Sequence, residues 1–127
     1  MTYRLAHLSR ALYELLAATP PATRAAVGVS LSELAMRLCE VVLPQDVVTA
    51  DERHAYAARL DEIYFDLNDA EDAGTTKAFA AARAASSSAY AMQGEAEDAI
   101  YEAMIAIDDM ELARAHILAV LSGESPR

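Results

Sequence analysis

Apolar positions recur at helical spacing along almost the whole chain. Leu5, Leu8, Leu12, Leu15 and Leu16 fall at steps of three and four on one face, which predicts a helix over 2–18. Pro20 and Pro21 interrupt the pattern, and Thr19 is placed to cap the next helix with proline in its first turn. That second helix, 21–43, carries Val27, Leu31, Leu34, Leu38 and Val41 or Val42 on its inner face and stops at Pro44. Gly28 weakens its early part by about 1 kcal/mol relative to alanine. Thr49 and Glu52 form a capping box that opens a third helix over 50–67, with Tyr56, Leu60, Ile63 and Leu67 inward.

The polar run Asn68 to Gly74 reads as a connection. Thr75 or Thr76 can cap a fourth helix over 75–92, whose face is Phe79, Ala82, Ser86 and Ala89, and Gly94 follows it as a stop. The last helical stretch, 95–121, has acids in its first turn and invites a break at Asp108-Asp109. It places Ala99, Ala103, Ala106, Met110, Ala113, Ile117 and Val120 on one seam, narrow enough for another helix to approach closely. The expected fold is an all-α, single-domain bundle of five or six helices, with no internal repeat.

Composition narrows the function classes. The chain has 127 residues, 54% of them apolar and 29 of them alanine, with a net charge of −10. It is too apolar for disorder and too acidic for direct nucleic-acid binding. A single cysteine, Cys39, cannot form an internal disulfide and fits a reducing compartment. The longest uncharged run, Ala84 to Gly94, is far short of a membrane span, and no signal-peptide core is visible. The protein is therefore expected to be cytoplasmic and bacterial in style, and not held in a membrane.

Charge is unevenly distributed. Residues 1–40 carry a net +1 and residues 41–127 a net −11. Asp61, Glu62, Asp66, Asp69, Glu71 and Asp72 form one cluster, and Glu95, Glu97, Asp98, Glu102, Asp108, Asp109 and Glu111 form another, neither containing a basic residue. Glu62, Asp66 and Asp69 share a helical face, as do Asp98 and Glu102, and such like-charge pairs cost a few tenths of a kcal/mol each. A solvated acidic face that keeps the protein in solution is one reading. A docking surface for a basic partner is the other, with Tyr64 and Tyr101 as aromatic anchors among the acids. Spacing leaves open whether these rings, and Phe65, face solvent or core.

Candidate chemistry is sparse. Asp66 to Lys77 fails the calcium-loop pattern, with Ala70, Glu71 and Lys77 at positions that need a ligand, a glycine and a bidentate glutamate. Of His7, His54 and His116 only His54 has an acid three residues before it, Asp51, and none completes a Glu-x-x-His pair, so no di-iron motif exists, and they read as partly exposed helix residues. Cys39 lies in an apolar run where a buried, inert thiol is expected. Ser86-Ser87-Ser88 lacks the glycines and the strand-turn-helix setting of a nucleophile elbow. The segment around Gly28 approaches a helix-turn-helix but offers little phosphate-neutralising charge. No enzyme, cofactor or metal site is expected.

Leu38-Cys39-Glu40 followed by Leu43-Pro44 resembles an element of the YjaG-like family of small all-helical bacterial proteins, with Leu60 to Tyr64 and Ala96 to Ala99 in comparable order. The resemblance spans roughly residues 20–107 in short pieces, with Val41 where that family has arginine and without its earlier aromatic. It implies an all-α fold and carries no activity, since the family has none established. The leading expectation is a non-enzymatic acidic binding module, an immunity or inhibitor protein that neutralises a basic toxin or nuclease. Its partner-binding residues would be Asp61, Glu62, Asp66, Asp69, Asp98 and Glu102 for charge, with Tyr64 and Tyr101 as anchors. The alternative is a structural homodimer or subunit joined through the alanine seam.

Overall fold

The computed structural model describes residues 4–69 and 75–123, the side chains of residues 67–69, 75 and 76 excepted. Every regular element among them is helical: α1 (Arg4–Leu8), α2 (Arg10–Ala17), α3 (Pro21–Leu38), α4 (Ala50–Asp69), α5 (Thr75–Met92), α6 (Ala96–Ile107) and α7 (Met110–Leu121). The all-α expectation holds, with more helices than the five or six expected. None is long and apolar enough to cross a membrane among the described residues.

Two breaks raise the number. The last stretch divides at Asp108, which adopts a left-handed φ of 52°, and Asp109 then caps α7 by accepting from the Leu112 amide at 3.1 Å. The first helix divides at Ser9, which the periodicity does not reveal. Ser9 is extended, and its hydroxyl accepts from the Leu12 amide at 3.3 Å to start α2. The kink lets Leu5, Leu12 and Leu16 all bury while Leu15 stays partly exposed.

Other boundaries also shift. α3 ends at Leu38 rather than 43, in a Schellman motif: the Val41 amide donates to Met36 and the Glu40 amide to Arg37, with Glu40 left-handed at φ 56°. Leu38 and Val42 are consequently exposed instead of continuing the core face. Thr19 does not cap α3; its hydroxyl donates back to the Leu15 carbonyl at 2.8 Å, closing α2. The Thr49–Glu52 capping box forms as expected, with reciprocal bonds of 2.9 and 3.1 Å. The Thr49 and Val48 amides, both donating to it, hold the Glu52 carboxyl below its ordinary range. Helix α4 continues to Asp69, past the expected 67, while residues 70–74 and the proposed threonine caps of α5 lie outside the described residues and side chains.

Helix α5 is central, packing on α3, α4 and α6. Its run Ala82 to Ala89 is almost wholly small side chains, buried on nearly every side apart from Arg83. Small residues around the whole circumference let three neighbours close in, where one wide apolar stripe would serve only one. The serine triplet binds these helices together. Buried Ser87 donates to the Ala99 carbonyl of α6 at 2.6 Å, and Ser88 accepts from Arg53 of α4 at 2.6 Å. The alanine seam of α6 and α7 is internal: Ala99, Ala103, Ala106 and Ala113 are buried, and Gly28 of α3 lies against Ala96 and Ala99. A seam already filled by this chain is no surface for a second copy.

Candidate functional site

The two acidic clusters meet different fates. Glu102 projects from α6 into the bundle, where only 3% of it is exposed. A buried carboxylate needs partners, and two arginines supply them. Arg4 of α1 donates to Glu102 at 3.0 Å and to Asp98 at 2.9 Å. Arg83 of α5 donates to both Glu102 oxygens, at 3.3 and 3.0 Å, and its other terminal nitrogen pairs with Asp61 of α4. Tyr101 lies beneath the Arg4 guanidinium, 4.4 Å from its ring centroid. Five charges from four helices thus form one network, and three expected partner-binding acids are engaged inside the protein.

The remaining expected residues lie on or beside the outer face of α4. Glu62 and Asp66 are exposed and form no ion pair among the described residues. Tyr64 is half-buried and touches Phe65 and Phe79, with centroids 5.3 and 5.2 Å away. Asp69 ends the helix, its side chain outside the description. The periodicity placed Ile63 inward, yet it is 49% exposed, and Phe65 is 61% exposed. Helix α4 instead turns Ala57, Leu60, Asp61 and Tyr64 toward α5, a rotation that brings Asp61 to Arg83. At about 100° per residue, Glu62 and Asp66 form a central acidic stripe with Phe65 on one side and Ile63 on the other. Tyr64 and Tyr101 are each held within the fold. Phe65 is the ring left to solvent on this face.

Other reactive groups are built into packing. The Cys39 thiol is half-buried, points to the Ala106 carbonyl at 3.6 Å, and burial pushes its pKa up, away from thiolate chemistry. His54 stacks edge-on against Tyr90, at 4.8 Å between centroids, and hydrogen-bonds Gln93. His116 departs from the partly exposed state expected of it. It is 7% exposed and hydrogen-bonded to Ser30 at 2.8 Å. No cluster of His, Cys, Asp and Glu suited to a metal ion occurs among the described residues.

Comparison with protein-family models, curated proteins and solved structures returns no match. The functional reading therefore rests on the residues and their arrangement.

Proposed function

We propose that this chain is a non-catalytic binding module that captures a basic protein, an inhibitor of the immunity type acting on a cationic toxin or nuclease in the cytoplasm. The observation that carries the reading is the outer face of α4. Glu62 and Asp66 stand there without partners among the described residues, beside an exposed Phe65 and Ile63. An apolar anchor within a charged rim is the usual composition of an interface hot spot. A net charge of −10 would accelerate encounter with a cationic partner. Asp61, Asp98 and Glu102 contribute to the surrounding field but, being paired, serve chiefly to hold the helices in register.

The test is capture of partners from the lysate of the source cell at low and high salt, repeated with Glu62→Lys/Asp66→Lys. A stoichiometric basic protein that is released by salt and missed by the double variant is the expected result. A partner bound equally by both forms, or retained at high salt, overturns this assignment of the surface.

A further inference from the structure

A second feature lies within reach of the α4 face. Between α1, α5 and the corner joining α6 to α7 is a hollow of about 340 Å³. Its wall includes Leu8, Phe79, Met104, Ile105 and Met110, and Ala80 leaves the room that a larger side chain would fill. Two acids, Asp108 and Asp109, stand among the lining residues, and no basic residue does. Lys77 belongs to the neighbouring hollow, where it faces Glu40 at 3.9 Å.

We infer that this hollow is the socket for an apolar anchor carried on a basic amphipathic helix of the partner. Charge selects the occupant. An uncharged apolar ligand would leave the two carboxylates at the corner unused, and an acidic segment would be repelled by them. A helix with lysine or arginine beside a leucine or aromatic residue satisfies both wall and acids, in the helix-in-groove mode. Two methionines suit the wall to such a guest, because the flexible thioether adjusts to irregular shapes. The socket is also continuous with the exposed face, since Phe79 in its wall touches Tyr64, which touches Phe65.

Asp108 supports the assignment. It is exposed at the rim of the hollow, and its left-handed φ of 52° is one that aspartate, like asparagine, adopts. Asp109 accepts from the Leu112 amide through one oxygen, and its other oxygen has no hydrogen bond among the described residues. The inference rests on the proposed capture of a basic protein and adds where, and by what element, the partner is held.

The test uses the isotopically labelled full chain and a synthetic helical peptide of about five turns, leucine on one face and lysine on the other. At low salt the peptide should shift the resonances of Leu8, Phe79, Met104 and Met110 saturably. A peptide with glutamate for lysine should not. Asp108→Asn, which keeps the left-handed turn, should weaken binding about 5-fold without lowering the melting temperature. Ala80→Phe should abolish the shifts, with thermal unfolding checking that it folds. Shifts confined to Glu62–Asp66 would overturn the socket while leaving the basic-partner reading intact. No saturable shift, or equal binding of the glutamate peptide, would also overturn the socket; capture from lysate judges the broader reading independently.

Discussion

Arg83 donates to both carboxylate oxygens of Glu102, and this pair ties α5 to α6 at a point nearly closed to water. Removing Arg83 would leave the buried Glu102 carboxylate with Arg4 alone, and stripping a buried charge of a partner is costlier than removing both members of the pair. Arg83→Met should therefore lower unfolding free energy by about 3 kcal/mol. The double change Arg83→Met/Glu102→Leu should recover a large part of that loss. Urea unfolding of the two variants measures the difference, and equal losses would contradict a buried pair.

His116 sets an acid limit on α7. Burial holds its pKa below the ordinary value of 6.5, with the charge of Arg37 acting in the same direction and the Ser30 hydrogen bond opposing them. The unfolded chain thus takes up this proton at higher pH than the folded one. The contribution of neutral His116 is complete above about pH 6.5 and is lost as pH falls through the folded value. His116→Asn should remove that part of the pH dependence in urea titrations between pH 7.5 and 5. An imidazole titrating at or above 6.5 by NMR would contradict it.

Gly28 marks the close approach of α3 to α6. A Cβ there would meet Ala96 Cα at 3.4 Å and Ala99 Cβ at 3.5 Å, which is contact without overlap. Alanine should be tolerated, its helix propensity offsetting the tightness, with a stability change under about 1 kcal/mol. Gly28→Leu should force the helices apart at about 2 kcal/mol or more. Thermal melts of both variants separate the two outcomes.

Ser9 starts α2, and Ser9→Ala should cost about 1 kcal/mol through loss of the cap. Hydrogen exchange should then show faster opening at the Leu12 amide, with α6 unaffected. Unchanged protection at Leu12 would mean that the kink is maintained by packing alone.

Glu62→Lys/Asp66→Lys should leave the melting temperature unchanged or slightly raised, because neither acid has an internal partner among the described residues and cations suit the C-terminal end of α4. A fall of several degrees would show that these acids are structural and would remove them from the surface proposed to bind.

Much of this protein is legible from local pattern. The apolar spacing of Leu5, Leu12, Val27, Leu31, Ala99 and Ile117 identifies core positions, because a side chain repeating every three or four residues must share a helical face. The Thr49–Glu52 box and the Gly94 stop are equally readable, since each depends on a few adjacent residues. The break at Asp108-Asp109 is readable too, but Glu40 is not, because a left-handed glutamate leaves no compositional mark. The rotation of α4 also escapes: Ile63 and Tyr64 are both apolar candidates one step apart, and only the pull of Arg83 on Asp61 and the ring of Phe79 decides which turns inward.

The same division holds for the acids. Sequence alone determined that this chain is helical, alanine-rich and strongly negative in its last two-thirds, because composition and periodicity are sums over neighbours. It could not distinguish Glu102 from Glu62. One is neutralised by arginines 98 and 19 positions away, and the other stands in solvent. Which carboxylates are free for a partner depends on contacts between distant segments, and those exist only once the helices have closed around α5.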